Sequence, residues 1–567
     1  MNGSHGLKIV LLIAVTGLVL IAVKWAFARG RRLPRHRVRH LRVRLRLRLH
    51  PGKGHATTAE LWWRWGRLAA FRRSRRSRPS LTLAQRILAT ASQYSVLAGR
   101  AQYRHALRLP LDEHAVIFSP PRGGKTGWLA RVILRYPGPV LSTTTKHDVF
   151  ELTSGIRARR GPVHVFNPQL VGGVPSTFRW NPLEGCQEPA VAIRRADAFA
   201  HSVSQKGVED STFWAAKASD YLRAYFHAAA IAGFDLRHVA RWVSGTRQDE
   251  PEDILATAAG AAQHMAAQLA EMRGEANKTI STVRMTMSRA LAFLADPALA
   301  ACVLPAPGQG LDIEAFLHEA GTLYLIAETR GEDAPVAPLF ACLTAEVHYT
   351  AAMAGSRMPG GRLDPPLLMA LDEVTQICPV PVPSWLADSG GKGIQIITVA
   401  HGEAQLRARW GSDGARVIMD TSGAKIWLPG ISDPATLDAA SRLCGTTAMK
   451  ETRSILRTDD GPYRDFYARH PVMTPEMIRQ LPDMYALIIR GGMSPAIARL
   501  PMAWKDPAYK NARRARQATA VLTPAPEPAE LPFDVPRPRE PWPSQETGPE
   551  TIPGAEPWDD LTPYPWQ

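Results

Sequence analysis

Residues 115–126 decide the fold of this chain, and they read Ala115-Val116-Ile117-Phe118-Ser119-Pro120-Pro121-Arg122-Gly123-Gly124-Lys125-Thr126. The first four residues form a short apolar run that predicts a buried strand. A helix-like stretch follows from Trp128 to Leu134, so the order is strand, tight loop and helix. In such a loop, successive backbone N–H groups and the amino end of the helix converge on a phosphate group. The segment therefore predicts a phosphate-binding loop.

Each residue of this loop is a candidate for contact with a nucleoside triphosphate. The candidate binding residues are Ser119, Pro120, Pro121, Arg122, Gly123, Gly124, Lys125 and Thr126. The Lys125 ammonium is expected to reach the β- and γ-phosphate oxygens, and the Thr126 hydroxyl is expected to ligate Mg²⁺. Ser119 departs from the pattern G-x-x-x-x-G-K-T, which has glycine at that position. The loop thus predicts ATP and Mg²⁺ as cofactors.

A second apolar run, Leu367–Leu371, ends in the two carboxylates Asp372 and Glu373. In a nucleoside triphosphatase, an acid in this place holds the metal, so Asp372 is expected to orient Mg²⁺ and Glu373 to polarise the attacking water. A buried strand followed by a helix cap would give the same pattern. Combined with the phosphate loop, the run predicts a nucleoside triphosphatase in which Lys125, Asp372 and Glu373 are catalytic.

A third apolar run, Ile394–Ala400, ends at His401, and Gln405 follows one helical turn later. Motor ATPases place a polar side chain here to sense the γ-phosphate. His401 and Gln405 are therefore further catalytic candidates, and a simple polar strand end is the alternative interpretation.

Further apolar runs alternate with helical segments along the chain. They lie at 139–142, 163–166, 323–327, 424–428 and 485–489. This alternation predicts an α/β fold with a mostly parallel sheet and helices on both faces.

The pattern changes between residues 187 and 302, where strand signals disappear and Ala-rich helical periodicity takes over. This block predicts an all-helical insertion. Trp214, Tyr221 and Tyr225 recur there at helical spacing, which favours helix packing over base stacking.

The first 28 residues predict a transmembrane anchor. Residues 9–28 are almost continuously apolar and long enough to cross a bilayer as a helix. Positive charge follows the apolar run instead of preceding it, which favours an anchor over a cleaved signal peptide. The positive-inside rule then predicts a single-pass membrane protein with the bulk of the chain cytoplasmic.

Most of the net charge of +18 lies just after this anchor. Residues 29–78 carry 18 Lys or Arg and a single acid, Glu60. Within them, strict Leu/Val–Arg alternation at 41–49 is typical of a strand with one cationic face or of a disordered polybasic arm. The mixture of Trp and Arg at 61–73 is typical of an interfacial helix, with anionic membrane lipid favoured over nucleic acid as its partner.

The remaining composition limits the class of protein. An apolar fraction of 45% and a charged fraction of 21% exclude global disorder and a polytopic membrane protein. The five cysteines contain no C-x-x-C pair, which predicts reduced thiols. Residues 521–567 hold 13 prolines and a net charge of −7, which predicts an extended tail. This tail is either a solubilising segment or a docking segment for a partner.

A series of motifs, in order over about residues 110–505, resembles TraG/TraD-type conjugative coupling proteins. The motifs are Pro121–Lys125, Thr145–Thr153, Val165–Pro168, Trp180–Leu183, Gly321–Ile326, Leu371–Glu373, Gly393–Gln395, Gln405–Leu406 and Leu443–Gly445.

This resemblance implies a membrane-anchored, RecA-like ATPase that assembles as a homo-hexamer. It implies that ATP hydrolysis drives DNA, expected to be single-stranded and carrying a bound relaxase, into a type IV secretion channel. Beyond Ser119, the chain departs from the family at His401, where glutamine is usual. Lys392 lies where many members carry an arginine finger, so Lys392, Arg407, Arg409 and Arg416 all remain candidates for that role. The family commonly has two membrane spans, and one is predicted here.

The domain organisation expected from these observations has five parts. They are an anchor at 1–28, a basic juxtamembrane segment at 29–79, a RecA-like nucleotide-binding domain at 80–186 and 303–512, an all-α insertion at 187–302, and a Pro-rich acidic disordered tail at 513–567.

Three other functions remain open. A septal double-stranded DNA translocase would share the motor and the anchor. A protein-only secretion ATPase would not respond to DNA. A membrane-bound assembly scaffold would bind nucleotide without hydrolysing it.

Overall fold

A large, mostly parallel sheet forms the centre of the molecule. The computed structural model describes residues 43–47, 52–203, 211–274, 277–304, 309–329, 334–451 and 466–522. The strands in this part of the chain are β1 (Ser95–Arg100), β2 (Ala106–Pro110), β3 (Ala115–Phe118), β4 (Val140–Thr144), β5 (Val163–Phe166), β6 (Thr322–Ile326), β7 (Leu367–Leu371), β8 (Ile394–Ala400), β9 (Ala424–Trp427), β10 (Thr446–Glu451), β11 (Phe466–Pro471), β12 (Tyr485–Arg490) and β13 (Ala496–Arg499).

Eleven of these strands form one sheet in the order β2-β1-β13-β12-β9-β3-β8-β7-β4-β6-β5. The seven strands from β9 to β5 are parallel. The four from β2 to β12 extend the sheet with antiparallel pairing. Strands β10 and β11 form a separate antiparallel pair. The α/β class and the mostly parallel sheet expected from the sequence are confirmed.

Helices cover both faces of this sheet and form the inserted block. The α-helices are α1 (Thr58–Glu60), α2 (Arg67–Ser77), α3 (Leu83–Leu88), α4 (Lys125–Arg135), α5 (Asp148–Arg157), α6 (Pro189–Ser202), α7 (Ser211–Ile231), α8 (Leu236–Val243), α9 (Glu250–Thr257), α10 (Gln263–Arg273), α11 (Asn277–Ala290), α12 (Pro297–Cys302), α13 (Ile313–His318), α14 (Ala337–Ser356), α15 (Val374–Ile377), α16 (Val382–Asp388), α17 (Glu403–Thr421), α18 (Pro434–Cys444), α19 (Pro475–Arg479) and α20 (Pro507–Leu522).

The central strands are apolar throughout because both of their faces are buried. Strand β3 shows this most simply. Val116 and Phe118 pack into the larger hydrophobic core, whereas Ala115 and Ile117 pack into a second core on the other face. Alternate side chains of a strand point to opposite faces, so two helical layers are needed to cover them.

The described residues between 187 and 302 contain helices and loops and no strand. Tyr221 and Tyr225 of α7 are buried in the larger core, and Trp214 packs against it. The Tyr221 hydroxyl donates to the Met272 carbonyl at 2.8 Å. The prediction that these aromatics serve helix packing is therefore confirmed.

The basic segment before β1 packs against the sheet domain. Trp65, in a π-helical turn at Leu61–Trp65, is fully buried in the second core. Arg490 of β12 donates to the Arg64 carbonyl at 3.1 Å and forms a bidentate pair with Glu113 at 2.6 and 2.7 Å. Arg78 forms a buried ion pair with Asp364 at 2.5 Å. The sheet domain thus begins well before the phosphate loop.

The strand interpretation of residues 41–49 is wrong for residues 43–47, which are helical. A strand needs a neighbour to satisfy its backbone, whereas a helical turn closes its own hydrogen bonds. Leu47 packs against the larger core, and Arg44 lies 3.8 Å from the Asp483 carboxylate.

The predicted anchor at 1–28 and the predicted tail from 523 onward lie outside the described residues. Within the described part of the chain, no helix combines the length and the apolar character needed to cross a bilayer. The described residues up to Arg513 form one compact unit, and Arg514 begins a second. Helix α20 runs on to Leu522, past the boundary expected at residue 512.

Candidate nucleotide-binding site

Three adjacent parallel strands bring the predicted site residues together. In the order β3-β8-β7, Phe118 pairs with Ala400, and Leu371 pairs with Thr398. The next residue along each strand is Ser119, His401 and Asp372, respectively. Because carboxyl ends of parallel strands meet at one edge of a sheet, these residues share that edge, which is where ligands bind in α/β folds.

The loop after β3 has the tight backbone of a phosphate cradle. Arg122 and Gly124 have φ angles of 61° and 98°, in the left-handed region. The Gly123 N–H donates to the Pro120 carbonyl at 3.0 Å. A Cβ at Gly123 would lie 2.5 Å from Ser119 Oγ, so glycine is required there. Pro121 and Arg122 are exposed at the loop tip.

Ser119 fits inside the loop although the motif expects glycine. The residue is fully buried, and its N–H donates to the Ala400 carbonyl at 3.1 Å. Its hydroxyl donates to the Pro120 carbonyl at 3.0 Å. The serine hydroxyl therefore occupies the space above Gly123 without opening the loop.

Lys125 connects the loop to the two carboxylates. Its Nζ lies 3.2 Å from Asp372 Oδ1 and forms a hydrogen-bonded ion pair with Glu373. Burial lowers the pKa of Lys125, but the charges of Asp372 and Glu373 outweigh burial and raise it above its ordinary value. Lys125 is thus a fully charged ammonium at the first position of α4. Thr126 follows it in the first turn and is half-buried.

The two carboxylates have opposite pKa shifts. Burial raises the pKa of Asp372 in spite of the charge of Lys125. Burial also acts to raise the pKa of Glu373, but the hydrogen bond with His401 and the charge of Lys125 lower it to about 2. Thr143 of β4 donates to the Asp372 carbonyl at 2.8 Å and so holds the strand end in place. Glu373 itself has a φ of 50°, an uncommon conformation for a residue with a side chain.

His401 joins Glu373 to the phosphate loop. Its Nε2 lies 3.1 Å from Glu373 Oε1, and its Nδ1 lies 2.9 Å from the Ser119 carbonyl. Both partners are acceptors, so both ring nitrogens donate when the ring is protonated. The hydrogen bond with Glu373 raises the pKa of His401. Gln405 has a different contact: its Oε1 accepts from the His401 backbone N–H at 2.8 Å.

The site residues fit a nucleotide with Mg²⁺. Among the described residues, the buried Glu373 Oε2 has no hydrogen-bond donor, and the buried Asp372 Oδ1 is paired only with the Lys125 ammonium at 3.2 Å. Buried carboxylate oxygens without donors suit a metal ion's water shell or an attacking water. Thr126 and Asp372 are the residues that would hold Mg²⁺, and Lys125 would bind phosphate oxygens.

The candidate finger residues lie elsewhere. Lys392 pairs with Asp388 at 2.5 Å before the start of β8, at the opposite edge of the sheet from Ser119. Arg407 pairs with Glu403 at 3.0 Å. Arg409 donates to the carbonyls that end α6, and Arg416 is exposed on α17. The structure brings none of these four to the loop of its own chain.

Two residues beside the phosphate loop were not found from the sequence. Thr143 lies just after the apolar run predicted as a strand at 139–142 and carries no motif. Trp504 contacts Gly127 in the first turn of α4. Each of these two residues lies hundreds of positions along the chain from the residue that it contacts, Asp372 for Thr143 and Gly127 for Trp504. Only the tertiary fold reveals these contacts.

A family model described as Type IV secretory system Conjugative DNA transfer matches residues 65–524. The chain belongs to this family. Solved structures agree in fold. An unbound bacterial conjugative coupling protein, TrwB lacking its first 70 residues, has a TM-score of 0.54 at 17% identity, over 76% of this chain and 94% of that one. TrwB in complex with the GTP analogue GDPNP has a TM-score of 0.52 at 17% identity, over 76% and 95% of the two chains.

A third structure, TrwB in complex with ADP and Mg²⁺, has a TM-score of 0.50 at 17% identity and covers 71% of this chain and 89% of that chain. No curated protein sequence matches the chain. The resemblance to conjugative coupling proteins drawn from the ordered motifs is thus confirmed. The residues matched by the type IV secretion DNA-transfer family model include the sheet, the helical insertion and the phosphate loop.

Proposed function

We propose that this chain is an ATP-hydrolysing motor that drives DNA, carrying a bound relaxase, into a type IV secretion channel. One observation carries the proposal: Lys125, Asp372, Glu373 and His401 meet at the carboxyl ends of β3, β7 and β8, beside a glycine-dependent loop. The nucleotide complexes solved for TrwB support ATP and Mg²⁺ as ligands of this site.

Lys125 is the residue that changes partner when ATP binds. In this structure the Lys125 ammonium pairs with the carboxylates of Asp372 and Glu373, which occupy the role that phosphate oxygens would have. A triphosphate in the loop brings more negative charge to Nζ, together with the backbone N–H groups of the loop and of the start of α4. Transfer of Lys125 to the phosphate oxygens releases Glu373 from one of its two cationic partners.

Glu373 then serves as the base that orients and deprotonates the attacking water. Its pKa of about 2 keeps it ionised at neutral pH, and release of Lys125 moves that pKa toward the range of a useful base. His401 keeps the carboxylate aimed while remaining bonded to the Ser119 carbonyl. Thr126 and Asp372 are the residues that would hold Mg²⁺, which would neutralise charge at the phosphates.

The same His401 bridge offers a route from hydrolysis to motion. It links the water-activating carboxylate to the start of the phosphate loop, and Gln405 fixes the backbone of His401 at the start of α17. Loss of the γ-phosphate returns Lys125 to Glu373 and changes the contacts of His401. Helix α17 is the element that would move.

Family membership supports DNA, a relaxase and the secretion channel as partners, and a homo-hexamer as the working assembly. A cation from the neighbouring subunit would then complete the ATP-binding site. The candidates are Lys392, Arg407, Arg409 and Arg416. We also propose anchoring in the bacterial inner membrane. Trp62 and Trp63 support anionic lipid as a further partner. Both side chains are half-exposed, and their rings are in edge contact with centroids 4.7 Å apart. The Arg72 guanidinium lies over the Trp63 ring, which gives the mixture of aromatic and basic groups typical of a membrane surface.

The buried fit of Ser119 removes one reason to favour the non-hydrolysing scaffold, since serine leaves the loop closed.

ATP hydrolysis by the purified full-length protein tests the proposal. The assay compares the wild type with Lys125→Ala and Glu373→Gln, each without DNA, with single-stranded DNA and with double-stranded DNA. We expect Lys125→Ala to abolish ATP binding and hydrolysis, because the ammonium contact to phosphate is lost. We expect Glu373→Gln to bind ATP and to lower kcat by about 10²–10⁴-fold, the range of a lost general base.

Hydrolysis by Lys125→Ala at the wild-type rate would contradict the assignment of the phosphate loop. Stimulation by double-stranded but not single-stranded DNA would favour the septal-type translocase. Turnover that no DNA stimulates would favour a protein-only secretion ATPase.

A further inference from the structure

A segment following β13 is fixed onto the helix that begins at Lys125. The side chain of Asp506 is fully buried and forms a bidentate pair with Arg135 at 2.5 and 3.0 Å. It also lies 2.6 Å from Arg131. Ala503 packs in a small core with Ala130 and other residues of α4. Three points of attachment therefore hold the turn at Ala503–Lys505 against the second half of α4.

This attachment places Trp504 directly on the start of the helix. A Cβ at Gly127 would lie 2.3 Å from Trp504 Cζ3 and 2.4 Å from Cη2. The Met502 thioether contacts the same region: its Sδ would lie 3.0 Å from a Cβ at Gly127, and its Cε 3.4 Å from one at Gly124. Glycine at 127 is thus required by the indole. Trp504 is 41% exposed, so part of the ring faces solvent next to the phosphate loop.

The sheet order shows which side of the loop the indole occupies. Strands β13, β12 and β9 lie on one side of β3, and β8 and β7 lie on the other. Glu373 and His401 follow β7 and β8, so the hydrolytic groups border the loop from that side. Trp504 reaches the loop from a segment that follows β13. In the binding mode proposed above, the γ-phosphate lies beside Lys125 and Glu373, and the start of α4 binds the other phosphates. The ribose and base would then lie on the side of the loop away from Glu373.

We propose that Trp504 is the residue on which the nucleobase of the bound nucleotide stacks. The inference rests on the proposed nucleotide site and adds a subsite to it. A half-exposed indole fixed by a buried ion-pair network is a rigid stacking surface, and stacking accepts any base because every base has a π-face. Nucleoside triphosphates, whatever their base, are the ligand class.

Binding of two probes by the full-length protein tests this subsite: ATP with Mg²⁺, and inorganic tripolyphosphate with Mg²⁺. Tripolyphosphate carries the phosphates but no base. We expect Trp504→Ala to weaken ATP binding by about 5- to 150-fold, the range of one base–aromatic stack, and to leave tripolyphosphate binding unchanged. Trp504→Phe should keep most of the ATP affinity. Trp504→Leu, which keeps an apolar contact with Gly127 but has no ring, should behave as Trp504→Ala does.

Trp62→Ala is the matched control, since Trp62 is 50% exposed and lies outside the loop. It should leave the affinity for both probes unchanged. Equal weakening of ATP and tripolyphosphate by Trp504→Leu would show that the ring only packs the helix, and would overturn the inference. So would unchanged ATP affinity in Trp504→Ala. If the wild type binds neither probe, or if Lys125→Ala binds both as the wild type does, the nucleotide site itself is wrong, and this subsite with it.

Discussion

At the scale of single residues, Glu373 contacts the phosphate loop through Lys125 and strand β8 through His401. Two cationic partners for one buried carboxylate make a stable resting arrangement. When phosphate competes for Lys125, the Glu373 carboxylate loses that partner and keeps His401 as its only cationic partner among the described residues.

The pH dependence of stability tests the His401–Glu373 pair. The raised pKa of His401 means that its protonated form contributes stability that is fully present below the ordinary value of 6.5 and is lost as pH rises through the raised value. The lowered pKa of Glu373 means that its contribution is present above 4.5 and is lost as pH falls toward about 2. The two windows overlap between pH 4.5 and 6.5.

We therefore expect the difference in Tm between the wild type and His401→Gln to be largest near pH 6 and to shrink toward pH 8.5. Thermal unfolding followed by circular dichroism at a series of pH values measures this difference. In a Glu373→Gln background the same substitution should show no such trend, because the partner carboxylate is absent. A Tm difference independent of pH in the wild-type background would contradict the pair.

The chemistry-bearing residues of the site could be predicted from the sequence because they lie in short local motifs. Lys125 follows two glycines, and Asp372, Glu373 and His401 each end an apolar run. Their contacts could not be predicted in the same way. The hydrogen bond between His401 and the Ser119 carbonyl depends on β3 and β8 being neighbours, which is a property of the fold.

At the scale of elements, the predicted strands are those buried on both faces. All eight apolar runs named from the sequence correspond to strands, from β3 to β9 and β12. Strands β1, β2, β10, β11 and β13 were missed. Strands β10 and β11 form the separate pair. The other three lie in the antiparallel part of the sheet, and Arg100, Arg108 and Arg499 interrupt their apolar pattern. A short strand with a polar face gives a weak period-two signal.

Arg490 tests how strongly the segment before β1 is held to the sheet. Its side chain is 6% exposed, and it bonds both oxygens of Glu113 and the Arg64 carbonyl. We expect Arg490→Ala to lower the free energy of unfolding by about 2 kcal/mol, because Glu113 loses its bidentate partner and keeps only Arg73, at 2.6 Å. Denaturant unfolding of the full-length protein measures the change.

Lys392→Ala is the control for this prediction. It breaks an ion pair with Asp388 in which both side chains are about half-exposed, and such pairs contribute at most about 1 kcal/mol. An equal effect of the two substitutions would mean that the Arg490 contacts do not hold the segment.

At the scale of the whole molecule, the sheet domain and the helical insertion match the type IV secretion DNA-transfer family over residues 65–524. The edge of the sheet that carries Ser119, His401 and Asp372 is where an α/β protein binds its ligand. Lys392 lies at the opposite edge. In the proposed homo-hexamer, a neighbouring subunit would supply the further cation for the γ-phosphate.

The organisation of the molecule was less predictable than its motifs. From the sequence, the boundary between the basic segment and the ATPase domain was predicted at residue 79, where the density of positive charge falls. In the structure Trp65 is a core residue of the sheet domain, and Arg78 is bonded to Asp364. Charge patterning reports solvent exposure of most side chains in a segment, and it does not reveal the few that anchor it.

The central claim is that the loop at 119–126 binds the phosphates of ATP opposite Asp372 and Glu373. Its most direct test is a cryo-electron microscopy structure of the full-length Glu373→Gln protein with ATP and Mg²⁺. We expect phosphate density in the loop, with Lys125 Nζ bound to phosphate oxygens and no longer paired with Asp372. Nucleotide density elsewhere, or an empty loop with Lys125 still paired with Asp372 at saturating ATP, would contradict it.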